Sequence, residues 1–225
     1  MWSCNELRVD AEVEPDQLAA ALDDLYAGFP HRRALVERAD TGARLAAAMR
    51  RRGWLVQHDV FMAHRRPPDR RPAPALAREV DEAALRAVEA ATFREEPYGE
   101  PEVIEQLLAA RSAMCAAAER VRFFLGAADG VDACHTTLYS DGGVAQVEDV
   151  ATLGAFRRRG LARATVSAAI AAALEMGHEL VFIVADHDDW PKHLYARLGF
   201  DPVGAAWEFI RPGPEHPAHR PAAPS

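Results

Sequence analysis

Apolar positions change their spacing several times along the 225-residue chain, and each change marks an element. From Asp81 to Phe93, Leu85, Val88 and Ala91 fall on one helical face, and Pro101 to Arg120 continues with one or two more helices. The period then shortens. Val121 to Ala127, Val131 to Tyr139 and Val144 to Leu153 are rich in apolar and β-branched residues. Ala128-Asp129-Gly130 and Ser140-Asp141-Gly142-Gly143 separate them, which predicts three antiparallel strands joined by hairpins. From Leu161 to Met176 no charge stands between Arg163 and Glu175, and Val166, Ile170, Ala173 and Leu174 share a face, so a well-buried helix is expected, ended by Gly177. Leu180 to Ala185 is an uninterrupted apolar run, the pattern of a central parallel strand covered on both faces. A short helix from Pro191 to Leu198 stops at Gly199, and Phe200 to Arg211 supplies the last strand or hairpin.

The first third carries a smaller pattern. Asn5 to Asp10 reads as a strand, Pro15 to Ala27 as a helix, Arg33 to Glu37 as a strand, Thr41 to Arg52 as a helix ending at Gly53, and Trp54 to His64 as a strand. Laid beside the second half of the larger region, Arg52-Gly53-Trp54 falls where Leu198-Gly199-Phe200 falls, which marks a degenerate half-repeat. Between the two regions, Arg65 to Pro74 is dense in Pro and Arg, which suits an interlobe linker and neither a helix nor a central strand. The expected organisation is a lobe at 1–64, a linker at 65–75, a main domain at 76–211 and a disordered tail at 212–225. The expected fold class is α/β in the mixed, α+β sense: a mostly antiparallel twisted sheet flanked by helices, with a small β-α-β-α-β N-terminal lobe.

Composition narrows the function. Hydrophobic residues make up 49% and charged residues 27%, as in a globular protein. The formal charge of −8 argues against nonspecific binding to nucleic acid or acidic lipid, so any basic patch must be local. Cys4, Cys115 and Cys134 are odd in number and lack metal-type spacing, which fits a reducing cytoplasm without a disulfide framework or a metal site. No signal peptide and no run of about 18 apolar residues is expected, so neither export nor a membrane is implied.

The local basic patch lies between the strand ending near Leu153 and the helix starting at Leu161. Arg157-Arg158-Arg159-Gly160-Leu161-Ala162 places three cations and small residues where a helix N-terminus offers unpaired N–H groups, a mechanism for binding a diphosphate. It is neither a Walker A loop nor a dinucleotide-binding G-x-G-x-x-G. Arg157-x-x-Gly160-x-Ala162 resembles the Q/R-x-x-G-x-G/A signature of the GNAT (GCN5-related N-acetyltransferase) superfamily. Val150-Ala151-Thr152 sits where that family's strand lines the pantetheine arm, and Leu194-Tyr195-Ala196-Arg197-Leu198-Gly199-Phe200 is similar to its LYxxxGF motif. The motifs occur in the family's order over about Leu76 to Arg211. Gly154 stands where the family often has Pro, and Asp188 where many members have a cofactor-contacting Asn. Residues 1–64 then read as a degenerate GNAT-like lobe whose acidic loop, Ala11 to Pro15, would repel a second pyrophosphate.

The resemblance implies acetyl-CoA as co-substrate, held by Val150 to Thr152 and by Arg157 to Ala162, with direct transfer to a primary amine on a small molecule or peptide. Tyr195 matches the family tyrosine that donates a proton to the departing sulfur. For the base, Glu148 and Asp149 are adjacent on a strand and expected on opposite faces; Glu148, sharing a face with Val150 and Thr152, is the choice, acting through water. Asp186-His187-Asp188-Asp189 lacks metal-ligand spacing, and Asp189 is a candidate helix cap. Cys134 is expected buried and His135 outward, on opposite faces of their strand. Acceptor identity rests with the helices from Asp81 to Arg120, Tyr98 among them, and with the N-terminal lobe. A homodimer is compatible with this reading, and the alternative to an enzyme is a catalytically silent acyl-CoA-binding or interaction protein.

Overall fold

The computed structural model describes residues 6–70 and 73–213. Cys4, Asn5, the Arg71-Pro72 step of the expected linker and the expected tail from 214 onward lie outside the described residues.

The elements follow one another as β1 (Leu7–Val9), α1 (Pro15–Leu25), β2 (Arg32–Val36), α2 (Ala39–Arg51), β3 (Leu55–His64), β4 (Ala77–Val80), α3 (Glu82–Arg94), α4 (Pro101–Ala117), β5 (Arg120–Ala128), β6 (Val131–Asp141), β7 (Val144–Thr152), α5 (Leu161–Glu175), β8 (Leu180–Asp186), α6 (Pro191–Arg197) and β9 (Phe200–Arg211). The fold is mixed α/β with mostly antiparallel strand pairing, as the periodicities predict. The described residues form two compact units, one of residues 6–61, 185–189 and 203–213, the other of 62–70, 73–184 and 190–202.

In the first unit the strand order is β1-β2-β9-β3, with β1 parallel and β9 antiparallel to β2. Leu18 and Leu22 of α1, Leu45 and Met49 of α2, Ala34 and Val36 of β2 and Phe209 of β9 make one apolar core. The helix starts differ from one another in chemistry. At α1, Pro15 occupies the first turn, and the Gln17 side chain accepts the N–H of Glu14 at 3.0 Å.

In the second unit the order is β8-β7-β6-β5-β4. The hairpin between β5 and β6 turns through Asp129 and Gly130, both at positive φ (54° and 76°), as a two-residue turn that matches the strand twist requires. Strand β4 carries no sequence signal of its own: four residues after a Pro-rich run show no alternation, and pairing with β5 defines it. Pro101 to Ala117 is a single helix, and β8 runs parallel to β7 as expected.

Two helical layers cover opposite faces of this sheet. Leu85 and Val88 of α3 pack on Phe123 and Leu125 of β5. On the other face α5 comes so close that a Cβ on Gly126 would sit 3.1 Å from the Thr165 methyl. Nine of the 15 residues of α5 are buried, although Leu174, expected on its inner face, is 52% exposed. The helix ends in a Schellman arrangement, with Gly177 at φ 81° and N–H bonds from Gly177 to Leu174 O and from His178 to Ala173 O. Both faces being covered corrects one expectation: Cys134 and His135 do face opposite ways, yet both are buried, Cys134 beside Thr165 and His135 beside Thr92 of α3.

Candidate active site

The loop from Gly154 to Gly160 turns β7 into α5. Arg158 and Gly160 both adopt left-handed backbone (φ 63° and 84°), which lets the chain reverse sharply into the helix. No side chain caps α5, so its first-turn N–H groups lack an acceptor within the helix, and a Cβ at Gly160 would meet nothing within 4 Å. Arg157, Arg158, Arg159 and Gly160 are exposed, Leu161 is buried and Ala162 half-buried. Arg157 Nε donates to the Thr152 carbonyl at 3.2 Å, which ties the loop to the end of β7. Arg159 pairs with Asp129 and lies over the Phe156 ring at 5.3 Å. Three exposed arginines thus precede a helix start that no side chain caps, the kind of chemistry that attracts an anion.

The strand feeding this loop is broken by a bulge. Thr137 stands opposite Glu148 and His135 opposite Ala151, so β7 spends one residue more than β6 across this step. The bulged residue is Asp149, at φ 56°. The extra residue resets the alternation, and this corrects the expected facing. Glu148 lies on the Thr137 side of the sheet, Thr152 stands opposite Cys134 on the α5 side, and Glu148 therefore does not share a face with Thr152. The carboxylate of Asp149 turns to Arg111 of α4, on the same side as Thr137.

Arg111 is the centre of a buried charge network. Besides Asp149 it reaches Glu89 at 3.0 Å and the Thr137 hydroxyl at 2.8 Å. Burial pushes the Glu89 carboxyl above its ordinary value, opposed by the attraction of Arg111. Glu148 accepts from the Gln146 side chain, two residues back on the same face. Burial also raises the phenol of Tyr139, which neighbours Arg111, Cys115 and Glu148.

Between the end of α3 and the bulge lies a cavity of about 170 Å³ lined by Glu89, Thr92, Tyr98, His135, Asp149 and Ala151, among others. Of the sequence-derived residues it gathers Tyr98, Val150 and Ala151, whereas Thr152, Glu148, Tyr195 and the arginine loop are not in its lining. Tyr195 is buried on α6, edge-on to Phe200 with ring centroids 6.3 Å apart. Sequence reasoning missed the Glu89–Arg111–Asp149 network and the role of His135 in the cavity wall. The signal for the first was a charged residue, Arg111, inside an otherwise apolar helical stretch.

The model of the acetyltransferase (GNAT) family matches residues 83–200. Among solved structures the chain is similar to a functionally unknown conserved protein from Staphylococcus epidermidis, with 11% identity and a TM-score of 0.65 over 91% of this chain and 83% of that one. It is also similar to a GCN5-related N-acetyltransferase from Kribbella flavida (20% identity, TM-score 0.56, 91% and 79% of the two chains). Another from Sphaerobacter thermophilus has 17% identity and a TM-score of 0.58, over 80% of this chain and 60% of that one. At such identities the likeness is one of fold. No curated protein matches the chain by sequence. The family match covers more than half of the chain and takes in α3, the bulged β7, the arginine loop and α6; the chain belongs to the GNAT family of acetyltransferases.

Proposed function

We propose that this protein transfers the acetyl group of acetyl-CoA to a primary amine by direct attack in a ternary complex. The observation that carries the reading is the start of α5, where Arg157 to Ala162 combine an uncapped N-terminus, a left-handed Gly160 and three exposed arginines. These residues would hold the diphosphate, and Val150, Ala151 and Thr152 would run beside the pantetheine arm. Acetyl-CoA supplies an activated thioester.

In the proposed reaction the neutral amine nitrogen bonds to the carbonyl carbon, and the carbon–sulfur bond breaks. Glu148 takes the proton that the amine loses, through water, and the Tyr195 hydroxyl gives a proton to the sulfur; a phenol with an ordinary pKa of about 10 is a competent donor to a thiolate of about 8.5. The β-α-β-α-β order of residues 6–64 supports their reading as a degenerate copy, and the acidic loop before α1 supports a single co-substrate site in the chain.

The test is release of free CoA thiol from acetyl-CoA across a panel of amines. Tyr195→Phe is expected to lower kcat by about tenfold or more at unchanged KM for acetyl-CoA. A wild-type protein that binds acetyl-CoA and acetylates no amine would instead be a silent acyl-CoA-binding protein.

A further inference from the structure

Residues 65–69, where the Pro- and Arg-dense segment begins, are bound to the end of α6. The last carbonyls of a helix lack donors within it, and here the segment supplies them. The Arg66 guanidinium donates to the Ala196 carbonyl and the Asp69 N–H to the Arg197 carbonyl, both at 2.9 Å. Just past the helix the Gly199 carbonyl accepts the N–H groups of Arg65 and Arg66, at 2.9 and 3.2 Å, and Arg66 Nε donates to Asp201 at 2.8 Å. Pro67 and Pro68 stand between the two anchoring residues and stiffen the chain there, since each ring locks its φ. The far end of this strap is tied to α5. The Asp69 carboxylate accepts from the Arg163 guanidinium at 2.7 Å. Arg163 is 6% exposed and lies in the first turn of α5, directly after the Arg157 to Ala162 loop. Asp69 thus joins the last turn of α6 to the first turn of α5 through a single residue.

We propose that Arg66 and Asp69 are positioning residues for the transfer step, holding the turn of α6 that carries Tyr195 at a fixed place relative to the start of α5. The inference deepens the acetyltransferase reading and rests on it, with the diphosphate at the start of α5 and Tyr195 as the acid. The phenol and the thioester are then placed by two different helices, and a misplacement of about 1 Å between reacting groups costs up to about a hundredfold in rate. Helix α6 cannot supply that precision by itself. It has seven residues, of which Leu194 and Tyr195 are buried, and so short a helix gains little from its own hydrogen bonds. Trp190, at its start, is 60% exposed. The strap holds the opposite end, within two residues of Tyr195. Its anchor on α5 is hard to release, because Asp69 is the ion-pair partner of Arg163 among the described residues, and letting go leaves a buried charge uncompensated.

The experiment measures initial rates, with an amine that the wild type acetylates, for Arg66→Gln and Asp69→Asn, each made in the wild-type and in the Tyr195→Phe background. Both changes keep the side chain polar and similar in size. In the wild-type background each is expected to lower kcat about tenfold, with KM for acetyl-CoA unchanged. In the Tyr195→Phe background neither should lower it further, since the group being positioned is gone. A merely structural role lowers kcat by the same factor in both backgrounds. That outcome overturns the assignment, and so does an unchanged kcat. If the wild type acetylates no amine, or Tyr195→Phe keeps the wild-type rate, the reading beneath fails, and amide hydrogen exchange without any ligand decides the hold on α6. Exchange at residues 194–198 about tenfold faster in both variants, with the interior of α5 unchanged, supports the strap. Exchange at 194–198 equal to that of the wild type overturns it.

Discussion

Arg111 of α4 is paired with Asp149, the residue at which β7 steps out of register with β6. A non-glycine residue in left-handed backbone costs about 1 kcal/mol or more, and here the ion pair holds it in place. Because Val150 and Ala151 follow directly, the course of the chain past the proposed thioester site depends on this contact. Removing the guanidinium leaves Glu89, 4% exposed, and Asp149 without their cation. Arg111→Ala is expected to destabilise the fold by about 3 kcal/mol in urea unfolding. Arg111→Lys, which keeps the charge and loses the fork, should recover part of that loss.

The imidazole of His135 gives a second prediction. Burial, with a smaller contribution from Arg111, pulls its pKa from 6.5 down to about 3. The folded state therefore holds fewer protons than the unfolded state between these values. The resulting stability is fully present above about pH 6.5 and is lost as pH falls toward about 3. At about 1.4 kcal/mol per pH unit, the loss on acidification is several kcal/mol and at most about 5. His135→Gln should flatten the stability profile over this range relative to wild type, as measured by urea midpoints at successive pH values.

Gly160 and Gly199 separate two costs of positive φ. Both lie in the left-handed region, at 84° and 100°. A Cβ at Gly160 meets nothing within 4 Å, whereas at Gly199 it would stand 1.9 Å from the Arg66 carbonyl oxygen. Gly160→Ala is expected to cost about 1 kcal/mol, from backbone strain alone. Gly199→Ala should cost about 3 kcal/mol or more, since a backbone carbonyl held by the Arg65 and Arg66 N–H bonds to Gly199 O has to move as well. Thermal unfolding of the two variants checks the ranking.

Most elements were legible because their signals are local. The Gly142 and Asp129-Gly130 turns, the uncharged α5 and the Arg157 to Ala162 loop each carry their chemistry within a few residues. Strand β4 was not, since four residues define a strand only through their partner. The facing of Glu148 was misread because a bulge is a property of two paired strands, and nothing in β7 alone says where β6 skips a residue. The cavity wall was equally hidden. His135, Thr92 and Asp149 are far apart in sequence, and His135 was expected to face outward because it alternates with a buried Cys134, a rule that assigns faces and not what covers them.

The central claim is that one acetyl-CoA binds at the start of α5. Calorimetric titration with acetyl-CoA tests it most directly. The account predicts one site per chain, weakened about tenfold or more by Arg157→Glu and Arg158→Glu together, in a protein whose unfolding midpoint is unchanged. A second site of comparable affinity, or an affinity indifferent to both reversals, would contradict it.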